Sequence, residues 1–193
     1  MRNNQQGVVL FIALIVLVAM TLAGIAMVRS VDTNNIISGN LAFKQSSLAA
    51  ADQGIQKAYE WLNNNRPALA NSNLANGYFS SISGDFTGFG TTDWDKAKSL
   101  GAADAAGNSV EYVIHRLCTQ PDTAYNGKNG SVANECATSE ATSPASNASV
   151  GSSVQVGAAV YNTSPMVYYR ITARAKGPKN ATSIVQATVL IPI

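Results

Sequence analysis

The side chains that could do chemistry are few: Cys118, Cys136 and His115, the single histidine of the chain. If this part of the chain is exported, the two thiols most simply form one disulfide around a turn-rich loop. A redox role would need a closer pair of thiols or an activating neighbour, and the sequence has neither. His115 has no serine, cysteine or acid beside it in a nucleophile motif, and a lone histidine on a strand is usually structural. These residues predict a cross-link and no catalytic centre.

Three aspartates, Asp85, Asp93 and Asp95, lie near one another in the sequence and raise the question of a calcium site. Their spacing does not match the ligand positions of an EF-hand loop. Aspartate is also common in turns and at helix starts, where its carboxylate is solvated or caps backbone amides. We therefore predict turn and cap residues here, with no metal and no cofactor.

Charge is sparse in this chain of 193 residues. Lys and Arg number 13 and Asp and Glu number 11, which gives a net charge of +2, and only 12% of residues are charged. A protein that binds nucleic acid needs a clustered positive field, which this composition does not supply. We expect no direct nucleic-acid partner.

An uncharged apolar run extends from Val8 to Val28, directly after a polar leader that ends in Gly7. Its length matches the roughly 20 helical residues that cross the hydrocarbon of a bilayer. Arg2 precedes the run and Arg29 follows it, so positive charge gives little help with orientation. The run is compatible with a secretory signal cleaved after Ala26, with a permanent single-pass anchor, or with a subunit held in a membrane before it polymerises.

The helical pattern continues beyond the apolar run. Leu41, Leu48, Ile55 and Leu62 recur every seven residues, with Ala51 and Ala58 between them, and predict one apolar stripe along residues 29–63, with Pro67 as the terminator. Residues 1–7 are then a leader, 8–28 a transmembrane helix and 29–63 its amphipathic extension. Residues 64–193 form an extracytoplasmic head, with a connecting region at 64–107 and a sheet with a disulfide loop at 108–193.

Strand patterns lie in the carboxy-terminal half. Residues 109–117 alternate in polarity, and so do residues 167–176 and 184–191, which flank a turn at Gly177-Pro178-Lys179-Asn180. Together they predict an antiparallel sheet of at least three strands, large enough to cover the apolar stripe of the helix. The predicted fold class is α+β, with a long amino-terminal helix packed on this sheet.

The amino-terminal third resembles a known family. The leader ending in Gly7, the stretch VVLFIALIVLVAMTLAGIAMVRS, and the stretches SGNLAFKQ and AADQGIQKAYEWL are similar to the start of type IV pilins and pseudopilins with a class III signal. Among these they look most like minor pilins of the PilX kind. The resemblance covers roughly residues 5–62 and implies a pilin-like fold.

The resemblance implies a maturation pathway. Prepilin peptidase would cut between Gly7 and Val8, and Val8 would become the N-methylated terminus of the mature chain. The protein would be a single-pass protein of the inner membrane of a Gram-negative bacterium before assembly, and part of an extracellular pilus afterwards. In the family the residue before the cleavage glycine is usually basic, whereas here it is Gln6.

A second departure concerns Ile12, the fifth residue after the cleavage point. Major pilins carry Glu there, and that Glu is thought to neutralise the terminal amine of a neighbouring subunit, because an unpaired charge in an apolar core is costly. A subunit that lacks this Glu does not need the pairing if it is the first subunit of the filament. Ile12 therefore favours a position at the tip, a feature shared with the tip pseudopilin of type II secretion systems.

By resemblance, the chain is expected to be a minor pilin that primes assembly of type IV pili and sits at or near their tip. Its partners would be other minor pilins, the major pilin, prepilin peptidase and a tip adhesin of the PilY kind, in support of adhesion, twitching motility or DNA uptake. It would not be an enzyme. The alternatives are a membrane-anchored extracytoplasmic binding protein and the tip pseudopilin of a type II secretion system.

Overall fold

The computed structural model describes residues 6–82, 94–139 and 165–192. The chain divides into two compact units, Met1–Phe43 and Lys44–Ile193. Helix α1 spans Gln6–Asn64, so its first part belongs to the first unit and its remainder to the second. Two 3₁₀ turns, Arg66–Ala68 and Leu74–Asn76, follow it. The helix ends just before Pro67, as the sequence predicts.

Eight strands lie in the described part of the second unit. They are β1 Tyr78–Phe79, β2 Lys98–Ser99, β3 Ser109–Arg116, β4 Lys128–Asn129, β5 Val132–Ala133, β6 Thr138–Ser139, β7 Met166–Lys176 and β8 Thr182–Pro192. Strands β4 and β5 pair only with each other, and the other six form one sheet. The sequence patterns therefore located the three long strands, β3, β7 and β8, to within a few residues.

The sheet is mixed, so the prediction of an antiparallel sheet is correct only in part. Strands β3, β7 and β8 pair antiparallel, but β1 lies parallel to β3, with Tyr78 opposite Ile114 and Phe79 opposite His115. Strand β1 follows α1 after the connection at residues 65–77 and runs in the same direction as β3. A strand of two residues in an Asn- and Ser-rich connection has no periodicity from which its pairing could be predicted.

The hairpin at the carboxy terminus has the predicted alternation. Val167, Tyr169, Ile171, Ala173 and Ala175 of β7 are all buried, and β7 pairs with β8 from Met166 opposite Pro192 to Lys176 opposite Thr182. Residues Pro178–Asn180 form a 3₁₀ turn between the two strands. The inward side chains of β7 and β8 therefore make the surface on which the second part of α1 packs.

The buried face of α1 agrees with the predicted stripe only in part. Ala51, Ala58 and Leu62 are fully buried, but Leu41 and Leu48 are 55% and 48% exposed. A repeat of seven residues falls about 20° short of two helical turns, so it drifts around a straight helix. The face that packs on the sheet instead follows mostly small side chains: Ser47, Ala50, Ala51, Gly54, Ala58 and Leu62.

Gly54 lies where α1 packs tightly against the sheet. A Cβ atom at this position would lie 2.8 Å from Val110 Cγ1 and 2.9 Å from the Ala173 Cβ. The second neighbour is fixed to the backbone of β7, so it cannot rotate away. Gly54 is therefore required by packing, although glycine weakens the helix itself.

We predict that Gly54→Ala destabilises the second unit by about 1–2 kcal/mol, because overpacking outweighs the gain in helix propensity. Urea unfolding of the full chain in detergent micelles, followed by tryptophan fluorescence, measures the change. Gly39→Ala is the matched control, since a Cβ there has nothing within 4 Å. Equal stability of Gly54→Ala and the wild type would contradict the packing argument.

Candidate functional site

The first candidate site is the apolar surface of α1 from Val8 to Val28. Every residue in this run is exposed, among them fifteen large apolar side chains. Leaving a large aliphatic side chain in water costs roughly 1.5–3 kcal/mol, so the segment as a whole costs on the order of 20–45 kcal/mol. That exceeds the net stability of a typical domain, about 5–15 kcal/mol. Cover by lipid or by other apolar helices would remove this cost.

The segment is long and apolar enough to cross a membrane as one helix. Gly7 lies in the first turn of α1, and the predicted cleavage point between Gly7 and Val8 is therefore within the helix. Val8 and Ile12 are exposed on the next turns, at 62% and 55%. The predicted processing and assembly residues thus share one short helical stretch, whereas the two cysteines lie in the second unit.

The predicted disulfide is present in the structure. Cys118 and Cys136 are joined, and their backbones form an isolated bridge at the base of the loop that carries β4 and β5. Asn134 organises this loop: its side-chain nitrogen donates to the carbonyls of Thr123 and Ala124, and its oxygen accepts from the amide of Gln120. The cystine therefore closes a loop that is also tied by hydrogen bonds.

Arg116 is the residue that sequence reasoning missed. It is 3% exposed, and its guanidinium donates from Nε to the Ser80 carbonyl at 2.8 Å, from Nη1 to the Leu69 carbonyl at 3.0 Å, and from Nη2 to the Thr123 carbonyl. The phenol of Tyr78 donates to the same Leu69 carbonyl at 2.6 Å. One buried cation thus joins the segment after α1, the segment after β1 and the disulfide loop.

Asp122 supports this junction from the outside. Its carboxylate accepts from the Ser72 amide at 2.7 Å and from the Ser80 hydroxyl at 3.2 Å. These hydrogen bonds, with a smaller effect from Arg116, lower the pKa of Asp122. Sequence alone gave no signal for this junction, because its acceptors are backbone carbonyls far apart along the chain.

His115 lies in the sheet as a structural residue. It is 3% exposed, and its ring stacks on Phe79 with centroids 4.9 Å apart. Burial, together with the positive charge of Arg170 on the paired strand, lowers the pKa of His115 from 6.5 to about 4. The imidazole is therefore neutral near pH 7.

The face of the sheet that carries Glu111 holds a charge cluster. Arg174 Nη2 and Lys176 Nζ lie 2.6 Å and 3.3 Å from Glu111 Oε1, and the ring of Trp94 packs over the Arg174 guanidinium at 4.1 Å. The positive charges of Arg174 and Lys176 on this face are thus partly neutralised by a cross-strand acid. In the described ranges, no three His, Cys, Asp or Glu side chains lie close enough to hold a metal ion. Asp85 and Asp93 lie outside those ranges.

Comparisons of this chain with protein-family models, with curated proteins and with solved structures found no match.

We predict that Arg116→Lys lowers the free energy of unfolding by about 3 kcal/mol, because one ammonium group cannot replace three guanidinium hydrogen bonds to separate carbonyls. Urea unfolding measures the loss. Arg66→Lys is the control, since Arg66 is exposed and should change stability by less than about 0.5 kcal/mol. A similar small effect at both positions would show that Arg116 does not hold the junction.

The lowered pKa of His115 predicts a dependence of stability on pH. The unfolded chain binds the proton near pH 6.5 and the folded chain only near pH 4. Stability is therefore complete above pH 6.5 and falls as pH drops toward 4, by on the order of 3 kcal/mol from this group. His115→Phe should remove that contribution, which is measured as the difference between the two unfolding curves across this pH range. Parallel curves would contradict the assignment.

Proposed function

We propose that this protein is a minor pilin that primes the assembly of type IV pili and sits at or near their tip. The observation that carries the proposal is the run Val8–Val28, which is apolar on every side, exposed at every residue, and directly preceded by Gly7. A segment of this kind serves first as a membrane anchor. After cleavage of the leader it can leave the lipid only for an equally dry environment, such as a bundle of similar helices.

The side chain at position 12 supports a position at the tip. Ile12 is uncharged and exposed on the apolar helix, where a major pilin would present a carboxylate to the amine of another subunit. A first subunit does not need that pairing. Later subunits would add to it by burying their own apolar helices, and a preassembled group of minor pilins would remove the cost of starting the bundle.

The proposed partners follow from this role. They are other minor pilins and the major pilin through the apolar helix, prepilin peptidase at Gly7, and a tip adhesin of the PilY kind through the second unit. The work is assembly, in which no covalent bond is made or broken after maturation. The proposed location is the inner membrane before assembly and the pilus tip afterwards.

The decisive experiment is the intact mass and amino-terminal sequence of the protein recovered from its native cell envelope. We expect a chain that begins at Val8 and is heavier by one methyl group. A chain beginning at Met27 would identify a secreted protein. A chain that retains the leader would identify a membrane-tethered binding protein, and either result would reject the proposal.

We further predict that Gly7→Leu blocks maturation and removes the protein from pili, because the peptidase reads a glycine at the cleavage point. Immunodetection of the protein in purified pili, with its mass, measures both effects. Gly24→Leu is the matched control: it makes the same change within the apolar run, where a Cβ has nothing within 4 Å, and should leave cleavage intact. Normal processing of Gly7→Leu would contradict the prediction.

A further inference from the structure

Strand β8 forms a border of the sheet and contains eleven residues without a charge. Within the described ranges it pairs with β7 alone. The Ala181 carbonyl accepts from the Gly177 amide across the hairpin, whereas the Thr182 carbonyl accepts from Lys44 Nζ. Odd-numbered residues of β8 therefore direct their backbone groups toward β7, and even-numbered residues direct theirs away. A long uncharged border of this kind is a template for another strand.

The second part of α1 supplies a wall beside this border. Lys44 contacts the start of β8, and helical spacing puts Leu48, Ile55 and Tyr59 on the same side of the helix. Leu48 and Tyr59 are 48% and 43% exposed, and Ile55 is half-buried. The opposite side of the helix faces the start of β3, where Ser46 accepts from the Asn108 side chain. The apolar wall therefore lies on the β8 side.

The floor between wall and border is also apolar. The inward side chains of Val185, Ala187 and Val189 on β8 are half-buried, in contrast to the fully buried inward side chains of β7. We call the space between these residues and the apolar wall of α1 the β8 groove. Asp52 is exposed one helical turn from Leu48 and Ile55 and lies at the outer rim of the wall, whereas Glu60 is paired with Lys57 on another side of the helix. The floor of the groove, formed by β8, is uncharged along its length.

Both ends of the β8 groove carry a cation. Lys44 marks the start of β8. Arg66 lies at the other end, where it and Pro192 border one cavity of about 540 Å³. The helix between them is roughly 30 Å long at 1.5 Å per residue, and eleven residues of strand span about 36 Å. The two cations are therefore separated by about one strand length.

We propose that the β8 groove binds an extended segment of a partner protein, which adds a strand to the even-numbered edge of β8. The segment is uncharged and alternately apolar in its middle and bears an acidic side chain near each end. Main-chain hydrogen bonds supply affinity, and the apolar wall and terminal cations select the sequence. This surface is separate from the apolar helix of the first unit, so the proposal stands whether or not the protein enters a filament.

The test uses the full chain in detergent micelles and a labelled synthetic peptide in which alternating Val and Thr are flanked by Glu at both ends. We expect binding by fluorescence anisotropy. The amides of Ile184, Gln186, Thr188 and Leu190 should exchange rapidly in the free protein and become protected in the complex. The same peptide with Lys at both ends should bind about tenfold more weakly, because each end then meets a like charge.

Substitutions in β8 and α1 test the geometry. Thr188→Pro removes an N–H that faces away from β7, so the sheet should persist while peptide binding falls at least tenfold; Thr188→Val keeps that N–H and should bind normally. Leu48→Asp places a charge in the apolar wall without disturbing the core and should weaken binding similarly. Ala49→Asp is its control, because Ala49 is exposed and outside the wall.

Three results would overturn the proposal. The first is equal peptide binding by Leu48→Asp and Ala49→Asp. This comparison remains valid even if Thr188→Pro fails to fold. The second is no binding of the Glu-flanked peptide. The third is slow exchange at the four even-numbered amides in the free protein, which would mean that the chain's own residues already occupy the edge.

Discussion

Small side chains on one face of α1 let the helix and the sheet approach until atoms of Gly54 meet Val110 and Ala173, and the second unit is arranged around that contact. Ala51 and Ala58 continue the same face, and both are fully buried. Close approach packs the inward side chains of β7 into two apolar clusters against this helix, where each lost contact has a cost. Ser47 adds a buried hydroxyl pair with Ser183 at 2.6 Å, which fixes the helix against the carboxy-terminal hairpin.

The opposite end of this core is closed by polar rather than apolar interactions. Leu62 ends the buried face of α1, and the chain then turns back through segments too short and polar to form a core of their own. The Arg116 guanidinium offers several fixed donors to three of these segments, and the Cys118–Cys136 bond closes the loop beside them. A buried guanidinium can order irregular segments, because it donates hydrogen bonds to backbone carbonyls that would otherwise be buried without partners.

The two candidate surfaces offer different chemical groups, and they therefore suit different partners. The run Val8–Val28 offers side chains alone, since the backbone of a helix is satisfied internally, so it suits lipid or other apolar helices. The β8 border offers backbone groups as well as half-buried side chains, so an added strand can be selected by sequence. A protein with both surfaces can join an assembly through one and hold a further partner through the other.

The sequence by itself determined the elements whose signal is periodic and local. The uncharged run after Gly7, the end of the helix before Pro67, the alternation of β7 and β8, and the pairing of the two cysteines were all predictable. The first three depend on residues close to one another in the sequence. The disulfide was predictable because the chain has only two cysteines.

Only the tertiary structure decided the exact limits of the buried face of α1, the parallel pairing of β1 with β3, and the role of Arg116. The predicted stripe contained Ala51, Ala58 and Leu62, which are buried, but also Leu41 and Leu48, which are exposed because close packing at Gly54 shifts the buried face toward small side chains. Strand β1 and the Arg116 junction depend on hydrogen bonds to backbone groups, which every residue carries alike. Sequence cannot specify such partners, because the geometry that brings them together exists only after the helix and sheet have packed.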